Sequence, residues 1–319
     1  MLFRLLKIPA KLAVALFCKK IIIANKEVLS MKGPLLIACN HPNAFLDAIV
    51  LSVLFKKPVY SLARGDAFKN KFINKFLRAL NMLPVYRLSE GADHLNNNYE
   101  TFSACRNIFK KNGIVLIFSE GTCVNEWKLR PLKKGTARLA FSAWEEGIDL
   151  AILPTGINYH SFSSYGKHIQ INFEKPLNWR DFENKKMDGN AVLLFNTQLQ
   201  QSLKNVVIEM NAPSQDIIKR IFQISEAPVK KHLLFVPSVL GKWIHAPIYI
   251  PLQKYAWRKF SKVDFYDSVL LGLLFAVYPI YLSLIAFSVY LMFGGWYWLL
   301  AFLFIPFLAW SFLQAKSAI

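Results

Sequence analysis

The sequence predicts an α/β domain with a largely parallel sheet flanked by helices, followed by a C-terminal apolar helical hairpin. Two observations predict it. Between Leu35 and about Asn172, short apolar runs alternate with stretches of helical period, the pattern of strands joined by helices of about 10–15 residues. From Ser268 to Ala315 there is no Asp, Glu, Lys, Arg or His, whereas one membrane-crossing helix needs only about 20 apolar residues. That run supplies two helices, parted at Gly294-Gly295.

Composition narrows the partners. The 319 residues carry a net charge of +19, and 54% are hydrophobic and 14% aromatic. A basic, aromatic-rich chain suits either nucleic acid or an anionic membrane with phosphorylated ligands. The cysteines Cys18, Cys39, Cys105 and Cys123 form no C-x-x-C pair. This argues against a zinc site and a disulfide scaffold, and fits a reducing compartment.

Taken in order, residues 1–30 read as an amphipathic membrane-associated helix. Arg4, Lys7 and Lys11 share one helical face, with Leu2, Leu5, Leu6, Leu12, Leu16 and Phe17 mostly elsewhere, the pattern of a helix lying in a membrane interface. A helix packed on the domain with a solvated basic edge has the same pattern. The lysines interrupt the apolar run and no small-residue cleavage site follows, so a signal peptide is not expected.

Residues 31–212 form the α/β domain. Its expected strands are Leu35–Cys39, Val59–Leu62, Leu83–Tyr86, Ile114–Phe118, Ala151–Leu153 continuing to Tyr159, and Ile169–Phe173. Helices are expected over Asn43–Phe55, Ala67–Leu80, Asn96–Lys111, Gly135–Glu146 and Ala191–Met210. Residues 213–265 read as a linker and an interfacial segment in which Trp243, Tyr249, Tyr255 and Trp257 mix with basic residues. Residues 266–319 hold the hairpin and tail, with spans over Val269–Phe293 and Trp296–Phe312. Lys254, Arg258, Lys259 and Lys262 precede the first span and Lys316 follows the second. The positive-inside rule then puts both ends, and the α/β domain, in the cytoplasm. A hairpin entering and leaving one leaflet is the alternative.

His41, Arg64, Arg87 and Glu120 each follow an expected strand closely. In a parallel sheet, groups at the strands' carboxyl ends share one edge, where ligands bind. Pro42 keeps His41 out of the α region, and Asp47 lies a turn into the next helix. A carboxylate accepting from one ring nitrogen leaves the other free as a base. Arg87 is suited to clamp a phosphate, or to pair with Glu90. Ser119-Glu120-Gly121-Thr122 ends a strand in a carboxylate, a glycine and a hydroxyl; an N-cap-type turn reads the same. Lys133 to Arg138 opens a helix with positive charge, favouring an anion, or is simply a solvated helix start.

In this order, Asn40-His41-Pro42-Asn43-Ala44-Phe45-Leu46-Asp47, a strand ending in Arg87, Phe118-Ser119-Glu120-Gly121-Thr122, and Leu153-Pro154, the chain resembles the glycerolipid acyltransferases. That family includes the lysophosphatidate and glycerol-3-phosphate acyltransferases, and the likeness covers roughly Leu35 to Tyr159. It implies that His41 and Asp47 are catalytic. It also implies that Arg87, Glu120 and Gly121 bind a phosphorylated acceptor, and that Pro154 lies near the acyl site. Thr122, Lys133, Arg138 and Arg64 are the further binding residues expected from their placement. The expected donor is an acyl-CoA or acyl carrier protein thioester, with no bound cofactor or metal. Partners are then a phosphorylated glycerol acceptor and the bilayer, not nucleic acid, on the cytoplasmic face of the cell membrane.

Two features depart from the usual family pattern. Five residues rather than four separate His41 from Asp47, resembling the variant in some fungal-type glycerol-3-phosphate and dihydroxyacetone-phosphate acyltransferases. Cys123 stands where the family often has arginine. The expected chemistry is direct acyl transfer with His41 as general base and backbone N–H groups after Pro42 as an oxyanion site. An acyl-enzyme on Cys39 is the rival route. Another lysolipid or amino-acid lipid as acceptor, or a non-catalytic protein binding anionic lipid, are the alternatives in function.

Overall fold

A computed structural model describes residues 2–86, 97–182, 187–224 and 232–316. Helix α1 (Leu2–Phe17) leads into strand β1 (Cys18–Ile23). Then come β2 (Leu35–Cys39), α2 (Ala44–Leu54), β3 (Val59–Arg64), α3 (Lys71–Ala79), β4 (Met82–Val85), α4 (Asn97–Lys110) and β5 (Ile114–Phe118). Next are α5 (Gly135–Glu145), β6 (Ala151–Tyr159), β7 (Lys167–Phe173), α6 (Gly189–Val206) and α7 (Gln215–Ile221). Three helices close the chain: α8 (Phe235–Phe260), α9 (Tyr266–Phe293) and α10 (Trp298–Ala315).

The strands form one seven-stranded sheet in the order β1-β7-β6-β2-β5-β3-β4. Only β6 and β7 run antiparallel; every other pair is parallel. Central β2 is buried along its whole length. Leu35, Ile37 and Cys39 enter one core with Leu46 and Leu51 of α2, while Leu36 and Ala38 enter the other with Phe141 and Phe195. Burial on both faces is why the strand reads as an unbroken apolar run rather than an alternation.

Two expectations for the flanks change. Residues 18–23, assigned from sequence to the N-terminal helix, form edge strand β1, so the sheet begins before residue 31. Helix α1 is docked through buried Val14 and Phe17, and its Lys7 is half-buried. Lys7 Nζ donates to the carbonyls of Phe55 (2.5 Å) and Lys56 (3.2 Å) at the end of α2, where a cation complements the helix dipole. The solvent-facing side of α1 carries exposed Leu5, Ile8 and Leu12 together with exposed Arg4 and Lys11.

The segment read as a linker contains α8, a 26-residue helix. It packs on α10 at Gly241, where a Cβ would meet the Leu308 carbonyl oxygen at 2.2 Å. Such close backbone approach is how small residues join helices in membranes. Helices α9 and α10 are long and apolar enough to cross a membrane. At 28 and 18 residues they extend about 42 and 27 Å. Their outer parts expose Leu284, Phe287, Leu291 and Leu303. The first two turns of α9 behave differently: Tyr266, Leu270 and Leu271 are buried in the same core as β2 and α2.

Candidate active site

Strand β2 ends at the centre of the sheet, and the polar residues that follow it are fixed before any substrate arrives. Asn40 accepts from the Ile157 amide (2.8 Å) and donates to the Ile157 carbonyl (3.1 Å), pinning the strand end to β6. His41 comes next, its ring stacked on Phe118 at 3.7 Å with an interplanar angle of 11°. Its Nδ1 lies 2.9 Å from Asp47 Oδ2. Among the described residues, Nε2 has no hydrogen-bond partner, and the ring lines the main cleft.

A left-handed step lies between His41 and Asp47. Ala44 adopts φ +48°, a left-handed step just before the helix becomes regular, at a cost of about 1–2 kcal/mol for a residue with a Cβ. Three donors and acceptors hold the result. Asp47, fully buried, accepts from the Asn43 amide (2.8 Å) as well as facing His41, and its Oδ1 accepts from the Tyr159 hydroxyl (2.7 Å). Burial, then the neighbouring Asp47 charge, drives the Tyr159 pKa well up, so the phenol stays a donor. The amides expected to form an oxyanion site are already used: Asn43 N on Asp47, Ala44 N on Cys123 Sγ (3.0 Å), Leu46 N on Ser268 Oγ (3.0 Å).

Glu120 is buried, and both oxygens are taken by backbone: the His41 amide (2.9 Å) and the Arg130 amide (2.9 Å). It does not line the cleft, so the acceptor contact expected from the resemblance becomes a brace beneath His41. Burial raises its pKa while the Arg130 and His41 amides oppose that rise. Gly121, at φ +68°, makes the turn that follows, and a Cβ there would meet the Lys133 side chain at 2.9 Å.

The cleft, about 1690 Å³, is lined by His41 with Gly121, Thr122, Lys133, Arg138 and Arg64. Phe45, Ala48, Leu62 and Phe265 supply an apolar wall. Arg64 is already paired with Asp66, its Nε and Nη2 donating to the two carboxylate oxygens. Lys133, Lys134 and Arg138 stand exposed at the start of α5. Arg87 lies outside the described residues; Tyr86, its neighbour, lines the cleft. Pro154 sits buried in β6 opposite Ala38 and does not line the cleft. Its carbonyl faces the end of β7, accepting from the Glu174 amide (3.0 Å), so the missing N–H falls where β7 stops.

Cys39, the rival nucleophile, is fully buried in the core below His41, and burial raises its thiol pKa well above the ordinary value. Such a thiol is inert. Sequence reasoning missed Asn40, Asn43 and Tyr159 as parts of the site. The asparagines stood inside the recognised motif, while Tyr159 gave no signal beyond ending a strand.

Residues 20–158 match the family model described as Acyltransferase. Over that stretch the α/β domain is similar to acyltransferases. The chain is 30% identical over 119 residues to a 1-acyl-sn-glycerol-3-phosphate acyltransferase of Bacillus subtilis (strain 168). That match covers 37% of this chain and 55% of the relative, so the chain spans about half the length of that curated relative. The solved 1-acyl-sn-glycerophosphate (LPA) acyltransferase PlsC of Thermotoga maritima aligns with TM-score 0.46 and 14% identity, over 70% of this chain and 81% of that one.

Proposed function

We propose that this acyltransferase moves a fatty acyl chain from an acyl thioester to the free hydroxyl of 1-acyl-glycerol-3-phosphate, forming phosphatidate. The observation that carries the reading is His41, with Nδ1 on the buried Asp47 and Nε2 open to a cleft that is apolar on one wall and cationic on another. The acceptor hydroxyl gives its proton to Nε2 as its oxygen attacks the thioester carbonyl. The tetrahedral intermediate then collapses, the C–S bond breaks, and His41 returns the proton to the leaving thiolate. General-base help of this kind is worth about 10²–10⁴-fold.

Lys133 and Arg138 are the groups that hold the acceptor phosphate, with Thr122 beside them. Cys123 does not supply the charge of the family's usual arginine, and its sulfur is occupied by the Ala44 amide. The donor is acyl-CoA or acyl-acyl carrier protein. The apolar helices α9 and α10 anchor the enzyme in the membrane. Lys254, Arg258, Lys259 and Lys262 before α9 and Lys316 after α10, against the uncharged turn at Gly294-Gly295, put the active site on the cytoplasmic face.

The test is product formation by purified full-length protein in mixed micelles, offered both donors and a panel of acceptors including glycerol-3-phosphate, with lipids identified by mass spectrometry. Phosphatidate is the expected product, absent with His41→Ala and retained with Cys39→Ala. No product from any phosphate-bearing acceptor, or loss with Cys39→Ala alone, overturns the reading.

A further inference from the structure

We propose that the first turn of α9 is a positioning element for the catalytic turn, so that seating the apolar hairpin and aligning His41 with Asp47 are one event. The inference rests on the His41–Asp47 reading and extends it to residues more than two hundred positions away.

Asn43, between His41 and Asp47 in the chain, is gripped from α9 at two places. Its Nδ2 donates to Asp267 Oδ2 (2.8 Å), and its carbonyl accepts from Ser268 Oγ (3.2 Å). Ser268 Oγ also accepts from the Leu46 amide (3.0 Å), so one hydroxyl bridges both ends of the turn. With side chain and carbonyl held, the Asn43 amide points at Asp47 Oδ2 (2.8 Å). Asp267 is in turn fixed by Lys167, at 2.5 Å, both side chains fully buried. Lys167 Nζ also donates to the Ser161 carbonyl (2.6 Å) and lies 5.7 Å from the Tyr159 ring, whose hydroxyl holds the other Asp47 oxygen. Asp47 is thereby reached from two sides by a network rooted in α9.

Stability alone is a weak account of this pair. Replacing a buried ion pair by apolar side chains of similar volume is often neutral or stabilising. Geometry is a stronger account, because a misplacement of about 1 Å in a catalytic group costs about 10²-fold. Neither Asp267 nor Ser268 lines the cleft; they act through Asn43.

Full-length protein in lipid nanodiscs provides the test. Ser268→Ala removes the bridging hydroxyl and Ser268→Thr keeps it. In Ser268→Ala, kcat is expected to fall about tenfold with KM for donor and acceptor within about twofold, and Ser268→Thr restores most of the loss. A readout independent of turnover is the low-field proton resonance of the His41 Nδ1–H, assigned by its disappearance in His41→Ala. It shifts in Ser268→Ala and returns in Ser268→Thr. The double variant Lys167→Met/Asp267→Leu removes both charges without stranding either, and is expected to fold with the resonance displaced. An unmoved resonance in both variants overturns the proposal, as does a loss of kcat that tracks a loss of folded protein and is not restored by threonine. If the wild type makes no product, the functional reading fails, while the resonance still decides whether α9 positions the turn.

Discussion

Asp47 is fully buried, and its two oxygens meet His41, Asn43 and Tyr159. Lys133 and Arg138, lining the same cleft, are exposed and have no side-chain partner among the described residues. The two regions differ in when their energy is spent. The catalytic turn is paid for in folding, with a left-handed Ala44 and a buried carboxylate, and so has nothing left to rearrange during reaction. The rim is charge in water, and its proposed partner is the acceptor phosphate. Preorganised polar groups in a dry site act at the transition state, whereas solvated cations act in binding and are screened by salt. A turn that fixes kcat and a rim that fixes KM are therefore the expected division.

The largest effect that tests this division is at His41. His41→Ala should lower kcat by about 10²–10⁴-fold while KM for the acceptor holds, measured by steady-state kinetics on folded protein. Next is Glu120→Gln, which keeps the shape but sets an amide NH₂ against one of two buried backbone N–H groups. Leaving a buried donor unpaired costs about 1–3 kcal/mol, so both the unfolding free energy and kcat should fall. A rise in acceptor KM at unchanged kcat would instead return Glu120 to the binding rim. Smaller again is Lys133→Ala/Arg138→Ala, for which KM for a phosphate-bearing acceptor should rise about tenfold with kcat nearly constant, the difference shrinking as salt rises beyond about 0.15 M. A drop in kcat in that variant breaks the division.

The same contrast explains what was legible in the sequence. Strands β2 and β5 were bounded residue for residue, because burial on both faces leaves an unbroken apolar run. Edge strand β1 was not, since it pairs on one side only and carries Lys19 and Lys20 just after its first residue, in what reads as the end of an amphipathic helix. Pro247 and Pro251 hid α8 in the same way. In the site, His41 and Asp47 were legible because their spacing is local. Tyr159 and Asp267 were not, because they meet Asp47 and Asn43 across 112 and 224 residues. Glu120 stood out as a polar residue at a strand end, but its partners are backbone amides, which leave no signature in side-chain type.

The smallest expected effect separates the chemistry of the turn from the stability of the sheet as pH falls. General-base catalysis gives kcat an acid limb of its own. A second histidine, on β7 and separated from β2 by strand β6, produces an acid loss of another kind. His168 is buried opposite Lys20 of β1, and among the described residues neither of its ring nitrogens has a hydrogen-bond partner. Burial first, then Lys19 and Lys20, pull its pKa down to about 4. Because the folded value lies below the ordinary 6.5, the unfolded chain binds the proton more readily. The contribution of neutral His168 to stability is thus whole above pH 6.5 and is lost progressively as pH falls from 6.5 toward 4. His168→Gln should therefore leave activity and thermal midpoint near wild type at pH 7, and flatten the fall of the midpoint between pH 6.5 and 4. The acid limb of kcat, measured where both proteins remain folded, should be the same in the two. If His168→Gln moves that limb, acid inactivation belongs to the sheet, and the turn loses its strongest kinetic signature.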